Sequence, residues 1–127
     1  MLNQSILVML GGAFGAWCRF AVQQKMPFQW ANVSVSTPII NAMGGLLMGA
    51  LAAWMVGKSA VDQVLWRTLL MSGFCGGFTT FSAFSLEMWR LLQAGKPASA
   101  AAMALAHVGM SLLAVMVGWY LVRGSVH

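Results

Sequence analysis

Charge is what this sequence has least of. Only 7% of its 127 residues are charged and just two, Asp62 and Glu87, are acidic, while 60% are hydrophobic. Soluble domains carry about 25% charged residues, so a water-exposed fold of this size would leave a large apolar surface uncovered. The scarcity excludes a soluble domain and points to an integral membrane protein. Cysteine is nearly as scarce. Cys18 and Cys75 both fall inside uncharged stretches, with no Cys-x-x-Cys or His/Cys spacing, which argues against a disulfide framework or a thiolate metal centre. No nucleotide motif and no pair of acids is present, so neither nucleotide hydrolysis nor a carboxylate proton relay is expected to drive transport. His107 has no nucleophile, carboxylate or metal partner at a recognisable spacing, and an enzyme is not expected.

The net charge of +5 rests on Arg19, Lys25, Lys58, Arg67, Arg90, Lys96 and Arg123. These lie near the ends of apolar runs, where long basic side chains snorkel to the membrane interface, so the basic balance does not read as a nucleic-acid surface. Between them, residues 1–18, 26–57, 68–86 and 97–122 carry no charge. A spanning helix needs about 20 apolar residues, which gives four helices, at about 4–24, 36–57, 66–92 and 98–122, in a single membrane domain over residues 1–127. The first run is read as a span rather than a secretory leader, because it lacks a basic start and Arg19 follows where a small-residue cleavage site would stand. Pro38 suits the first turn of the second helix. Residues 25–36 are expected to form a loop with an interfacial stretch around Pro27, Phe28 and Trp30.

With four spans, Lys58, Arg67 and Arg123 share one side with the N-terminus, and Arg19, Lys25, Arg90 and Lys96 share the other. Orientation normally follows an excess of Lys and Arg in cytoplasmic loops. Here the sides balance once the terminal amine is counted, so the chain is expected to insert both ways round. Four short helices hardly enclose a polar path alone, and an antiparallel homodimer of opposite inserters is the expected assembly. The pairs Gly11/Gly15, Gly45/Gly49 and Gly73/Gly77 are expected to supply its close contacts.

The most unusual stretch is GFCGGFTTFSAF at 73–84. Its glycines and hydroxyls weaken a regular helix, and Gly76-Gly77 followed by Thr79-Thr80 should break it. A broken helix survives in a membrane only where the freed carbonyls are buried in protein, face water or hold an ion, so a cation site of backbone carbonyls is one reading. Phe81 and Phe84 share a face. They either fill a helix interface or turn their positive ring edges toward an anion. Asn41, one turn from Gly45, either bonds a neighbouring helix or serves a ligand. Arg19 either snorkels or faces an anion-collecting vestibule. His107, with Ser111 one turn on, is an ionisable group at mid-membrane depth and a functional candidate. With Glu87 the one carboxylate in a predicted helix, the composition leans toward anions.

The segments GGAFGAWCRF at 11–20, Asn41 with Gly44 and Gly49, and GFCGGFTTFSAF at 73–84 together resemble the Fluc (CrcB) fluoride channel family, over essentially the whole chain. The resemblance implies an all-α fold of four spans with the third broken, an antiparallel dual-topology homodimer with two fluoride pores, and a bacterial inner membrane location. It implies that Phe81 and Phe84 line the pores, that Asn41 donates to fluoride, that Arg19 gathers anions, and that Gly76 and Thr79 offer carbonyls to a structural Na+. Ser82, Ser85, His107 and Ser111 would continue the polar track. The family often has tyrosine where this chain has His107, and usually reads TTFSTF where this chain has Ala83. Losing one donor to a dehydrated anion costs about 1–3 kcal/mol. Ala83→Thr is therefore expected to speed fluoride efflux from liposomes with selectivity kept; equal flux in both forms would contradict it. A small dual-topology multidrug exporter shares the size and charge balance, but such exporters rely on a glutamate in the first helix, and this one has none. A non-conducting accessory subunit would need only the glycine seams and leaves the Phe, Thr and Asn constellation unexplained.

Overall fold

Uncharged runs of this length fold as helices because no water is available to satisfy an open backbone. The computed structural model describes residues 2–30 and 33–124. Helix α1 spans Leu2–Lys25, and a two-residue hairpin follows, β1 (Gln29–Trp30) against β2 (Val33–Ser34), antiparallel with Trp30 opposite Val33. Helix α2 spans Ser36–Met55 and stops at Gly57, whose φ of 89° only glycine adopts freely. The third span, Ala60–Gln93, is built in pieces: α3 (Ala60–Trp66), a π-helical segment (Arg67–Cys75), α4 (Gly76–Phe78) and α5 (Phe81–Gln93). Helix α6 spans Pro97–Arg123, with proline in its first turn. Among the described residues, four helical segments are long and apolar enough to cross a membrane.

Three features differ from the sequence reading. The third span starts at Ala60 rather than near residue 66, because Ser59 accepts the Asp62 N–H at 3.2 Å and caps the helix in what reads as a polar loop. The segment expected to be a loop with an interfacial stretch after α1 carries the hairpin. Its Val33 is buried against Leu91 of α5 and Ala100 of α6 and closes that end of the bundle. The glycine pairs, expected to join two copies, are used within one chain. α1 packs on the π segment and α4, and α2 packs along α6. A Cβ at Gly15 would collide with the Phe74 carbonyl, and one at Gly77 with the Gly12 carbonyl. Across the other pair, Gly49 lies against the Val115 carbonyl and Gly118 against the Leu46 carbonyl. Small residues let the backbones touch, which supplies the packing that drives helix association in lipid.

Outward faces carry large apolar side chains, among them Phe14, Trp17, Leu105 and Leu121, as lipid contact requires. At one end Lys58 lies over the Trp54 ring at 4.1 Å, and Trp66 meets Trp54 edge-on at 5.8 Å. Tryptophan with lysine at this position is an interfacial anchor. Asp62 lies in the exposed first turn of α3, whereas Glu87 is buried and accepts from Thr37 Oγ1 at 2.7 Å, tying α5 to α2. Thr37→Val should cost about 1–3 kcal/mol, since it strips a buried carboxyl of its donor, and Thr37→Ser should restore most of it. Thermal unfolding in detergent measures both; an unchanged midpoint for Thr37→Val would refute the role.

Candidate functional site

The third span breaks at Thr79 and Thr80, whose ψ angles of 160° and 112° are extended. Of the expected break at Gly76-Gly77 and Thr79-Thr80, the glycines stay helical, and the small size of Gly77 admits Gly12 of α1. An extended pair inside a span leaves backbone groups without helical partners, and two side chains answer that need. Asn41 of α2 accepts the Thr80 N–H on Oδ1 at 2.8 Å and donates from Nδ2 to the Thr80 carbonyl at 3.0 Å. The carboxamide thus grips both polar groups of one residue, as a neighbouring strand would. Arg19 of α1 reaches the Thr79 carbonyl from Nη1 at 3.5 Å, a long contact. Thr80 then caps α5 by accepting the Ala83 N–H on its hydroxyl at 3.2 Å.

Beside the break lies a groove of about 460 Å³ between α2, α5 and α6, lined by Asn41, Thr79, Thr80, Phe81, Phe84, His107 and Ser111 among others. Phe81 and Phe84 supply aromatic rings to its lining. Phe84 is buried with its ring centroid 4.2 Å from the His107 imidazole, and Phe81 sits 5.7 Å from Phe84 but is 76% exposed. One phenylalanine is therefore built into this chain while the other projects from it. No acid lines the groove, and its polar groups are an amide, hydroxyls, an imidazole and a backbone break. Such groups suit an anion that must shed water, because N–H, O–H and ring edges all present positive ends. A second furrow of about 580 Å³, lined by Cys18, Met43, Leu46, Phe74 and Phe78 among others, is apolar and offers an ion almost nothing.

Of the residues singled out in the sequence, Asn41, Phe81, Phe84, His107, Ser111 and Thr79 meet at one groove. Arg19 touches it through the Thr79 carbonyl. Ser82 and Ser85 do not line it; both are exposed on α5, and Ser82 lies 3.4 Å from the Thr80 hydroxyl. Gly76 is exposed at the end of the π segment. Ala83 is likewise off the lining, so within one chain its missing hydroxyl removes nothing from the groove. Sequence reasoning named Thr80 only as part of the break, not as the residue that Asn41 grips, and missed Thr37, the partner of Glu87. Each lies one helical turn or less from a residue that was singled out, but their pairing crosses between helices.

Four spans among the described residues, the third interrupted, with a mostly apolar groove at the interruption that carries an amide, hydroxyls and an imidazole but no acid, define a multi-pass membrane protein. Its relatives narrow the class. The family model described as "CrcB-like protein, Camphor Resistance (CrcB)" matches residues 6–119. The chain is 38% identical over 122 residues to the "Fluoride-specific ion channel FluC" of Erwinia tasmaniensis, covering 96% of this chain and 97% of that protein. It is 40% identical over 123 residues to the protein of the same description from a Caulobacter species, covering 96% of each. With that of Erythrobacter litoralis it shares 39% over 132 residues, covering 96% of this chain and 93% of the other. The chain belongs to the CrcB family.

Proposed function

We propose that this protein is a passive, fluoride-selective channel that lets fluoride leave the bacterial cytoplasm across the inner membrane. The observation that carries the reading is the acid-free groove at the helix break, where an amide, hydroxyls, an imidazole and two phenyl rings meet without a carboxylate to repel an anion. Selectivity over chloride follows from hydrogen-bond donors suited to a small, hard ion in a narrow path, and the fluoride gradient drives the flow. The relatives' printed name, a fluoride-specific ion channel, supports the same assignment. The multidrug-exporter reading gains nothing: α1 contains no acid, and Glu87 is held by Thr37.

The working unit in this reading is an antiparallel homodimer with two pores. The projecting Phe81 and the exposed Ser82 and Ser85 favour it, since one chain leaves them largely uncovered. In such a dimer Phe81 and Phe84 would reach the pores from opposite subunits, and the α5 hydroxyls would join the track of His107 and Ser111. Arg19 would hold positive charge near the entrance.

A structural Na+ on the dimer axis would be held by the carbonyls of Gly76 and Thr79. The donor chemistry fits. Because the Thr80 N–H goes to Asn41, the Gly76 carbonyl loses the donor a continuous helix would supply. Neutral carbonyls are apt ligands for a hard monovalent cation, and Arg19 is the rival for the Thr79 oxygen. When bound, the cation would supply positive charge between the two pores.

Efflux from liposomes containing the purified full chain tests the assignment. Fluoride should appear outside within the assay while chloride, loaded in parallel, stays inside. Equal release of both ions would reject selectivity, and release of neither would reject a channel.

A further inference from the structure

The orientation of the Asn41 side chain has a single reading. A backbone N–H only donates, so the Asn41 atom 2.8 Å from Thr80 N is the amide oxygen. The NH2 group therefore faces the Thr80 carbonyl at 3.0 Å and His107 Nε2 at 2.9 Å. An amide nitrogen carries two protons and accepts nothing, so both are committed and His107 Nε2 must be the acceptor. The imidazole proton then resides on Nδ1. The ring is held against Phe84 and lines the same groove as Ser111. In this state the amide that would serve an anion has no free N–H, because the histidine has taken it.

We propose that His107 is a proton-controlled positioning residue for the anion site. Neutral, it ties up the second N–H of Asn41; protonated, it releases that N–H and adds an N–H donor of its own. The groove then binds a small hard anion more tightly as pH falls. This rests on the fluoride reading above. One proton from solution binds Nε2, one N–H···N hydrogen bond breaks, and no covalent bond changes.

The elements around the ring leave few competing titrations. α2 carries no ionisable group and meets the ring with Asn41. α5 contributes Glu87, one turn beyond Phe84 and bonded to Thr37, and then Arg90. Arg19 reaches the break from α1 at the Thr79 carbonyl. Over the span, α6 itself carries no other charge before Arg123. Glu87 favours the protonated ring and the two arginines oppose it.

The test uses the full chain carrying His127→Gln, which leaves His107 as the one imidazole of the two in the sequence. The half-saturating fluoride concentration for efflux is measured at about pH 8 and about pH 5.5, either side of the ordinary imidazole range, after subtracting HF leak through protein-free vesicles. It should fall about tenfold, the effect of one charge-assisted hydrogen bond, and should be flat in His107→Gln. In detergent, the nitrogen resonances of the Asn41 carboxamide should move with the His107 titration. Fluoride should raise that titration midpoint by about one pH unit, since the coupling is reciprocal. Equal half-saturation at both pH values overturns the proposal, as does an Asn41 resonance indifferent to the imidazole. If His107→Gln fails to assemble, the resonances of the native ring and amide decide alone. Absence of fluoride efflux at every pH would instead sink the channel reading, and a moving Asn41 resonance would show the two failures apart.

Discussion

Asn41→Asp should abolish fluoride efflux while chloride stays excluded. The carboxylate still accepts the Thr80 N–H, but it has no proton for the Thr80 carbonyl or for His107 Nε2, both of which receive one from the native amide. Each lost donor to a buried acceptor costs about 1–3 kcal/mol. The larger effect is charge. An anion about 4 Å from a new carboxylate, at an effective dielectric near 20, is repelled by about 4 kcal/mol, roughly a thousandfold in occupancy. Asn41→Ala lacks the repulsion but frees both polar groups of Thr80, which is 7% exposed. It should therefore lose stability more than Asn41→Asp does and retain some flux. The check is fluoride-electrode efflux alongside elution volume and helical dichroism for both variants. An Asn41→Asp protein that elutes as native and conducts at a third or more of the native rate would contradict the role.

Gly49→Val should leave little folded protein. The hydrogen that valine replaces points at the Val115 carbonyl, and the nearest atoms are α6 backbone, including Trp119 N at 3.0 Å. A flexible side chain gives way to an inserted methyl, but a helix backbone does not, so α2 and α6 must separate. Overpacking a tight site costs about 1–3 kcal/mol for one or two methylenes, and a β-branched residue against backbone exceeds that range. Separation also undoes the reciprocal contact of Gly118 with the Leu46 carbonyl and displaces Asn41 from the break. Gly49→Ala should fall between valine and native. Gly109→Ala is the control: nothing lies within 4 Å of a Cβ there, and the change should stay within about 0.5 kcal/mol of neutral. Yield and thermal midpoint in detergent rank the four proteins. Equal damage at Gly109 and Gly49 would refute the packing argument.

Much of this architecture is legible in the chain because lipid imposes simple rules. Stretches without charge must be helical, which made four membrane-crossing segments readable from the positions of Lys, Arg, Asp and Glu. The interruption of the third span was also legible, but its cause was not. Glycine lowers helix propensity, so Gly76-Gly77 read as part of the break with Thr79-Thr80; only the two threonines are extended, and Gly77 uses its lack of a side chain to approach α1. The same ambiguity misplaced the glycine pairs, since a GxxxG face reads alike whether its partner is another helix of the chain or of a second copy. The π-helical segment left no periodic trace, because an i→i+5 turn has no residue pattern of its own. Candidate site residues on different helices could be singled out individually, as Asn41 and His107 were. Their mutual bond, which decides whether the amide is free, depends on a register between α2 and α6 that no local signal encodes.

The central claim is that this groove passes fluoride and refuses chloride. A planar bilayer containing the full chain, with fluoride on one side and chloride on the other at equal concentration, tests it in one reading. The account predicts current with a reversal potential displaced far toward the fluoride equilibrium potential. A reversal potential near zero, showing both ions equally permeant, would contradict it.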